Sequence, residues 1–414
     1  MKKLLWFTTF FAMIISLLAA TGSHAETTNN SVSGAAVYIS AGAAVLIEGS
    51  TGEIIFEKNK DTELVPASIT KIMTLTLIFE AIDQGKISLE DEVMVSEYAA
   101  SMGGSQVFLE PQETQTVNTM IKCISIASAN DAAVAMAEKI AGSEQNFVKM
   151  MNQKAKELGM KHTWFKNCTG LDDDIKSEHF SSAYDVALMS RELITKHPEI
   201  SNYSTVWMDK ITHKTKKGET EFGLTNTNKL VRFYDGITGL KTGSTSKAKY
   251  CLSATARRND TDLIAVIMAA PDHKKRFSEA QSLLDYGFAN CSTYEDDYSD
   301  MTWEPLHIQN GNPSEIDVSP QTKFTHTFTS EYDSANIKRR VAYKEVTAPV
   351  KTGDEVGSIV YSYNGAEIGS IPILARQDAE EARSMNVILF SIVIVIVICL
   401  VGGVSIYFKK CKKD

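Results

Sequence analysis

The sequence predicts an α/β fold of the α+β kind, with an antiparallel sheet and a helical insertion, then a small β-rich domain and a single C-terminal transmembrane helix. Three observations predict this order. Strand-like runs occur at both ends of an otherwise helical region, so strands from the two ends can pair across the helices. Beyond Cys291 the runs alternate between apolar and polar residues, and turn residues separate them. A long uncharged segment then precedes a basic tail.

Length and composition exclude several classes of protein. The chain has 414 residues, of which 43% are hydrophobic and 22% are charged. These fractions are typical of globular proteins and exclude a largely disordered or collagen-like chain. The formal net charge is −9, and both ends contribute lysines, so the middle of the chain is more acidic still. An acidic body argues against nucleic acid as a partner, because phosphate binding needs a clustered basic surface.

Residues 1–25 are typical of a secretory signal peptide. Two lysines follow Met1, an apolar run extends to Ala20, and small residues precede a cleavage point after Ala25. This is the usual order of a basic start, an apolar middle and a cleavable end. An uncleaved N-terminal anchor is the alternative. We expect residues 26–35 to form a flexible leader.

Residues 387–408 carry no charge and are rich in isoleucine and valine. As a helix they would span about 33 Å, which is enough to cross a hydrocarbon core, whereas a buried soluble helix is the alternative. The basic tail, residues 409–414, should remain in the cytoplasm. Residues 377–386 are predicted to be a charged juxtamembrane spacer, helical from Gln377 to Ser384. The protein is therefore expected to be a single-pass membrane protein whose folded domains face outward.

Residues 36–290 are predicted to form one domain. Ala43–Ile47 and Glu53–Lys58 indicate a hairpin, because a Gly-Ser-Thr-Gly turn joins them. From Ser68, apolar residues occupy every side of a helix that ends at Gly85, which is typical of a buried helix. Further helices are expected at 117–126, 131–140, 145–158, 182–195 and 276–286, and further strands at 249–257 and 263–269. Residues 291–376 are predicted to form the β-rich domain, with strands within 323–329, 339–346 and 355–363.

The cysteines and histidines give no support for a metal centre. Four cysteines lie outside the predicted membrane span and tail, and none has the C-x-x-C spacing, so buried thiols are favoured while one or two disulfides stay open. The histidines are scattered and form no H-E-x-x-H pattern. We expect no metal and no organic cofactor.

The first candidate motif is the S-x-x-K of Ser68 and Lys71. Side chains three apart on a helix lie on one face, so the lysine amine can reach the serine hydroxyl. A serine is a poor nucleophile until a base takes its proton, and a lysine becomes such a base when burial lowers its pKa. A helix N-terminus would also help to bind an oxyanion. The alternative is an N-cap serine with an exposed lysine.

The second candidate motif is Ser128-Ala129-Asn130, in the short break between two predicted helices. A hydroxyl and a carboxamide at this junction could relay a proton and bind a substrate amide. Helix capping by Ser128 or Asn130 is the alternative.

The third candidate motif is Lys241-Thr242-Gly243 on a predicted strand edge. It offers a charge for a carboxylate, a hydroxyl for a hydrogen bond and no side chain to prevent close backbone approach. A second copy of the tripeptide, residues 351–353, lies in the β-rich domain, where a turn explains it. The tripeptide alone is therefore unspecific.

The three motifs in this order, in an exported chain, are the set found in penicillin-binding proteins and class A β-lactamases. The stretches Pro66–Thr74, Ser128–Ala133 and Asp235–Ser246 resemble the serine-type D-alanyl-D-alanine carboxypeptidases, the low-molecular-mass penicillin-binding proteins. The resemblance covers roughly residues 36–374, including the trailing β domain. It implies a penicillin-binding/β-lactamase-like catalytic domain that acts on peptidoglycan stem pentapeptides through an acyl-enzyme, and that β-lactam antibiotics would inhibit covalently.

The resemblance also implies roles for individual residues. Ser68 matches the nucleophile and Lys71 its general base. The other carried-over positions are Ser128 and Asn130 in the second motif, and Lys241, Thr242 and Gly243 as substrate-binding residues. The backbone N–H groups of Ser68 and Ser244 would form the oxyanion hole. Arg276 would bind the terminal carboxylate of the substrate.

Two positions depart from the family pattern, and three other functions stay open. Ala129 replaces a usual glycine, and Thr169 in the stretch Asn167–Asp172 stands where a histidine is sometimes found. A β-lactamase is one alternative, although the region lacks the E-x-x-L-N of class A enzymes. The others are a peptidoglycan endopeptidase and a membrane-tethered penicillin sensor, which would need more cytoplasmic chain than the basic tail.

Overall fold

The computed structural model describes residues 37–172, 178–216, 218–329, 332–382 and 391–400. The predicted signal peptide and the whole of the predicted leader, residues 26–35, lie outside them. The helices are α1 (Lys71–Asp83), α2 (Glu97–Ala100), α3 (Val117–Ile126), α4 (Asn130–Ala141), α5 (Glu144–Glu157), α6 (Ala183–Lys196), α7 (Ser201–Ser204) and α8 (Lys275–Asn290), with a further helix over residues 391–400. The strands of the first domain are β1 (Ala43–Glu48), β2 (Ile54–Lys58), β3 (Glu92–Met94), β4 (Thr114–Thr116), β5 (Met208–Thr215), β6 (Gly218–Thr225), β7 (Ile237–Thr245), β8 (Lys249–Arg258) and β9 (Thr261–Ala270). Those of the second domain are β10 (Ser292–Asp296), β11 (Leu306–His307), β12 (Gly311–Asn312), β13 (Glu315–Ile316), β14 (Val318–Pro320), β15 (Phe324–Phe328), β16 (Ile337–Tyr343), β17 (Glu355–Tyr363), β18 (Ala366–Ala375) and β19 (Glu380–Glu381).

An antiparallel sheet in the order β2-β1-β9-β8-β7 organises the first domain. The early strand β1 pairs with β9, so Val45 lies opposite Val266 although most of the domain separates them in sequence. The prediction that the terminal strands pair across inserted helices is therefore confirmed. β7, which carries the third motif, is an edge strand of this sheet.

Both faces of the sheet are buried, because alternate residues of β1 enter different cores. Val45 and Ile47 pack into the core shared with the helical insertion, whereas Leu46 packs against α8 through Leu283 and Leu284. Burial of each such side chain contributes about 1.5–3 kcal/mol. The first core surrounds α1, which is buried on nearly every side as predicted. This buried helix gives the first motif a rigid support.

The second domain is β-rich, as predicted. Its main sheet has the order β14-β18-β17-β16, and Tyr361, Ile359 and Ile373 lie at the centre of its core. A hydrogen-bonded contact joins the two domains, since the hydroxyl of Thr327 donates to the buried carboxylate of Glu48 over 3.1 Å.

The prediction of a helix from Gln377 to Ser384 is wrong over the residues that the structure describes. Ala379 forms a β-bridge with Val350, and β19 pairs with β12. A run of charged residues fits a solvent-exposed strand at a domain edge as well as it fits a helix, so composition could not separate the two. The β-rich domain therefore extends to Glu381.

Within the part of the chain that the structure describes, no helix has the length and apolar character needed to cross a membrane. The predicted span, residues 387–408, is described only over residues 391–400, which are helical with exposed side chains. The remainder of the span and the basic tail lie outside the described residues.

The favoured interpretation of the cysteines is confirmed. The four cysteines of the folded domains are free and buried, and they are Cys123, Cys168, Cys251 and Cys291. Burial raises the pKa of the Cys251 thiol to about 11, so this thiol remains protonated at neutral pH.

Candidate active site

Ser68 lies on the 3-10 turn Ala67–Thr70, which leads directly into α1. Neither this turn nor α1 has a side-chain N-cap, so the alternative of a capping serine with an exposed lysine is wrong. Lys71 is the first residue of α1 and is fully buried, and its Nζ lies 3.1 Å from Ser68 Oγ. The two side chains are therefore in hydrogen-bond contact.

The Lys71 amine is held by two further oxygen atoms. It donates to Asn130 Oδ1 over 2.6 Å and to the backbone carbonyl of Thr169 over 2.8 Å. Burial lowers the pKa of Lys71 to about 7, against the opposing effects of Cys168 and Asp131. A substantial fraction of Lys71 is therefore neutral near pH 7 and able to accept a proton from Ser68.

The second motif joins α3 to α4. Ser128 has a φ of +63°, a left-handed conformation that costs a non-glycine residue about 1–2 kcal/mol. Ala129 occupies the N-cap position of α4 without a side-chain hydrogen bond, so the helix-capping alternative is wrong here too. The Asn130 amide donates through Nδ2 to the carbonyl of Gly103 over 2.7 Å. Both ends of this carboxamide are thus engaged with the protein, and its first role is to hold Lys71.

The third motif lies on β7, beside the other two. Lys241 is buried, and its Nζ donates to Ser128 Oγ over 2.8 Å. The pKa of Lys241 is held well below its usual value, mainly by burial and to a smaller extent by the nearby charges of Lys71 and Arg276. The Thr242 hydroxyl donates to Thr227 Oγ1 over 2.7 Å. The structure therefore brings the three motifs into one continuous hydrogen-bonded group.

Gly243 is needed because β7 lies against the turn that carries the nucleophile. A Cβ atom on Gly243 would be 2.8 Å from the carbonyl oxygen of Pro66 and 3.1 Å from the backbone nitrogen of Ser68. Any side chain would separate the strand from the turn. Ser244 follows on the same strand, opposite Tyr250 of β8.

Arg276 lies behind the third motif, on α8. Its Nη1 donates to the carbonyl of Gly243 over 3.0 Å, and the rings of Tyr250 and Phe277 lie 5.6 and 4.7 Å from the guanidinium carbon. Its buried Nε has no hydrogen-bond partner among the described residues. A buried N–H of this kind can donate to an additional anionic or carbonyl acceptor. The structure thus places all of the predicted site residues around Ser68 and β7.

The segment around Thr169 was not predicted to support Lys71. Thr169 contributes its backbone carbonyl, while its hydroxyl bonds to Asn167 and accepts from the Leu171 N–H. Gly170 has a φ of +79°, and a Cβ there would lie 1.8 Å from the carbonyl oxygen of Ala67. The available signal was the glycine itself, because a segment that passes so close to the nucleophile turn cannot carry a side chain.

One group of metal-ligand type occurs among the described residues, at the end of α1 remote from Lys71. It consists of Asp83, His197 and Glu199, whose ligand atoms lie within 4.8 Å of one another. Asp83 Oδ2 is 2.9 Å from His197 Nδ1, which is an ion-pair distance. The second K-T-G copy lies in the second domain, where the Thr352 hydroxyl donates to Asp378 over 2.8 Å.

Comparisons with known proteins identify the family to which the chain is similar. Residues 28–272 match a family model described as D-alanyl-D-alanine carboxypeptidase, and residues 298–381 match the C-terminal domain of penicillin-binding protein 5. The chain is 42% identical over 341 residues to D-alanyl-D-alanine carboxypeptidase DacF of Bacillus subtilis, covering 82% of this chain and 86% of that one. It is 32% identical over 352 residues to DacC of Escherichia coli, covering 83% and 85%.

Solved structures give the same result. Penicillin-binding protein 5 of Haemophilus influenzae superposes with a TM-score of 0.69 at 30% identity, covering 84% of this chain and 100% of that one. Penicillin-binding protein D2 of Listeria monocytogenes, determined in its ampicillin-bound form, has a TM-score of 0.51 at 33% identity and covers 62% and 100%. These relatives do not favour the alternatives of β-lactamase, endopeptidase or penicillin sensor. The chain belongs to the D-alanyl-D-alanine carboxypeptidase family, the serine hydrolases that include the low-molecular-mass penicillin-binding proteins.

Proposed function

We propose that this carboxypeptidase removes the terminal D-alanine from peptidoglycan stem pentapeptides through an acyl-enzyme on Ser68, at the outer face of the cell membrane. One observation carries the assignment of the nucleophile. The Lys71 amine is fully buried, its pKa is lowered to about 7, and it lies 3.1 Å from Ser68 Oγ. A base of this kind is what a serine needs in order to attack a carbonyl.

In the acylation step, Lys71 takes the proton of Ser68 as Oγ attacks the carbonyl of the penultimate D-alanine. The resulting oxyanion accepts hydrogen bonds from the backbone N–H groups of Ser68 and Ser244. The close approach of Gly243 to the nucleophile turn supports this pairing, since it brings the strand and the turn together. Such donors typically contribute about 2.7–4 kcal/mol to the transition state.

Collapse of the tetrahedral intermediate breaks the peptide bond and requires a proton for the leaving amine. Ser128 supplies it and is then reprotonated with the proton that Lys71 took from Ser68, which returns Lys71 to its neutral form, while the hydrogen bond from Lys241 holds the Ser128 hydroxyl in place. Water then attacks the acyl-enzyme and gives a proton to the neutral Lys71, which passes it to Ser68 Oγ as the ester bond breaks. The products are free D-alanine and the shortened peptide.

The terminal carboxylate of the substrate binds beside β7. Lys241 provides positive charge when the bound carboxylate favours its protonated form, the Thr242 hydroxyl turns from Thr227 Oγ1 to donate to the carboxylate, and the buried Nε of Arg276 is available to a further acceptor. The carboxylate of a β-lactam can use the same groups. Covalent inhibition by penicillins follows, because the drug acylates Ser68 in place of the peptide.

The proposal includes export by the signal peptide and attachment to the membrane by residues 387–408. The 22 uncharged residues and the basic tail that follows support this topology. Fractionation of cells that express the full chain, or the chain truncated before Val387, tests it. The truncated protein should become soluble and stay active, whereas its retention in membranes would contradict the anchor.

The activity is tested by incubating the protein with a pentapeptide that ends in D-alanyl-D-alanine and measuring the masses of the products by mass spectrometry. We expect loss of one alanine residue, and covalent labelling of the same protein by a fluorescent penicillin. Ser68→Ala should abolish both results. Labelling of the alanine variant would reject the nucleophile, and cleavage of cross-linked dimers without release of D-alanine would favour an endopeptidase.

A further inference from the structure

Glu144, the first residue of α5, is a buried carboxylate that the proposed mechanism does not use. Its Oε1 accepts hydrogen bonds from the backbone N–H and the thiol of Cys168, over 3.0 and 3.2 Å. Its Oε2 accepts from the Tyr98 hydroxyl over 2.7 Å. Among the described residues no cation pairs with it. The position at a helix N-terminus stabilises the negative charge instead.

The donors to Glu144 remain protonated. The pKa of the Cys168 thiol is held well above its usual value, mainly by burial and to a smaller extent by the charge of Glu144. Burial and the same carboxylate also raise the pKa of Tyr98. Each contact is therefore a hydrogen bond to a charged acceptor, and such bonds are about twice as strong as those between neutral groups.

Cys168 is held on its other side by the helix that carries Lys71. The Thr74 hydroxyl, one turn along α1, donates to the Cys168 carbonyl over 2.7 Å. The next carbonyl in the chain belongs to Thr169 and accepts from Lys71 Nζ over 2.8 Å. Fixing both sides of Cys168 thus fixes the direction of the Thr169 carbonyl.

The direction of that carbonyl decides where the lone pair of Lys71 points. A protonated amine has three N–H donors, and Lys71 has three partners, namely Ser68 Oγ, Asn130 Oδ1 and the Thr169 carbonyl. The neutral amine keeps two N–H groups and one lone pair. If the carbonyl and the carboxamide take the two N–H groups, the lone pair is left facing the serine hydroxyl.

We propose that Glu144 is a positioning residue for the general base: it clamps Cys168 so that the Thr169 carbonyl directs the lone pair of Lys71 at Ser68. The inference rests on the proposed function, because it assigns Lys71 as the base. It predicts that loss of the clamp slows acylation while substrate binding is retained, because Glu144 lies behind the base and has no part in binding the substrate.

The test compares Glu144→Ala with the conservative Glu144→Gln. The alanine variant should acylate with a fluorescent penicillin at least about tenfold more slowly, as expected for a misdirected base, with little change in the concentration of penicillin for half-maximal rate. The rise of its acylation rate with pH should also be displaced or flattened, because the amine loses a carbonyl acceptor. The glutamine variant keeps an oxygen for Cys168 and should recover most of the rate.

The chain provides a matched control at the other end of the same helix. Glu157, the last residue of α5, is exposed, and its carboxylate accepts from Gln153 Nε2 over 2.9 Å. Glu157→Ala should leave acylation unchanged. If Glu144→Ala does not fold, Tyr98→Phe removes one donor to the carboxylate and should slow acylation to a smaller extent.

Three results would overturn the inference. The first is an unchanged acylation rate in Glu144→Ala, and the second is an effect of Glu144→Ala on penicillin binding alone. The third is a Glu144→Gln variant that acylates as slowly as Glu144→Ala and yet keeps the pH profile of the unmodified protein. Failure of the proposed function looks different, because the unmodified protein itself would then show no labelling of Ser68.

Discussion

The Nζ of Lys241 donates to the Ser128 hydroxyl over 2.8 Å, which joins a sheet strand to a helix junction distant in the sequence. Ser128 reaches this position with a φ of +63°. A strained residue that makes a hydrogen bond at a reaction centre is the pattern expected where function, rather than stability, determines the conformation. The contact leads to the first prediction.

Ser128→Ala should slow acylation by about 10²–10⁴-fold, because it removes the hydroxyl proposed to protonate the leaving amine. The rate of labelling by a fluorescent penicillin measures this effect. Ser125→Ala is the matched control, since Ser125 is buried on α3 but its hydroxyl has no hydrogen-bond partner among the described residues. Equal rates for the two variants would remove Ser128 from the mechanism.

The acylation rate should depend on pH through Lys71. Its pKa is lowered to about 7 by burial, and only the neutral amine can accept a proton. The rate should therefore fall about tenfold per pH unit below pH 7 and level off above it. Stopped-flow measurements of penicillin acylation from pH 5 to 9 check this prediction. A rate that is independent of pH across that interval would contradict Lys71 as the base.

Lys71 should also make stability depend on pH. In the unfolded chain its pKa is 10.5, and in the folded protein it is about 7. Between these values the unfolded state binds the additional proton, so the free energy of unfolding rises with pH by up to about 1.4 kcal/mol per unit. Lys71→Met lacks this contribution. The stability of the variant relative to the unmodified protein should therefore decrease by about 2–3 kcal/mol between pH 7 and pH 9.

Urea unfolding of both proteins at the two pH values measures that difference. Groups whose pKa is shifted independently of Lys71, such as Cys251, are present in both proteins, and their contributions largely cancel in the comparison. A difference that stays constant with pH would show that the pKa of Lys71 is not lowered.

Alanine variants of two glycines separate the effect of a left-handed backbone conformation from the effect of a steric contact. Gly142 and Gly170 have φ values of +74° and +79°, but a Cβ on Gly142 would meet nothing within 4 Å, whereas one on Gly170 would lie 1.8 Å from the Ala67 carbonyl. Gly142→Ala should cost about 1–2 kcal/mol in stability and leave acylation unchanged. Gly170→Ala should cost more and slow penicillin labelling, because it displaces the turn that carries Ser68. If the two variants lost the same stability and labelled with penicillin at the same rate, the close approach of Gly170 to the Ala67 carbonyl would be contradicted.

The elements that the sequence predicts best are those set by a long local pattern. The predicted helix at 117–126 coincides with α3, and the predicted strand pairing of β1 across the helical insertion is observed. The three motifs could also be found, because side-chain chemistry and order identify them. The site is built from the side chains of these motifs, and their residue types can be read from the sequence.

The features that could not be predicted depend on backbone groups and distant contacts. Thr169 acts through its carbonyl, and every residue has a carbonyl, so its identity carried no signal. Glu144 has the appearance of an ordinary acidic residue in the first turn of a helix, a position where carboxylates are common. The strand at Glu380–Glu381 exists because β12 provides a partner, and no local pattern records that partner.

The position of β7 at the margin of its sheet has a further consequence. One side of this strand is paired with β8, and within the described part of the chain no strand pairs with its other side. An open edge offers main-chain donors and acceptors to any extended peptide, including a partly unfolded neighbour. A covalently bound antibiotic would occupy that edge, so drug-treated protein should aggregate less on heating than the free enzyme, for reasons unrelated to its catalytic inactivation.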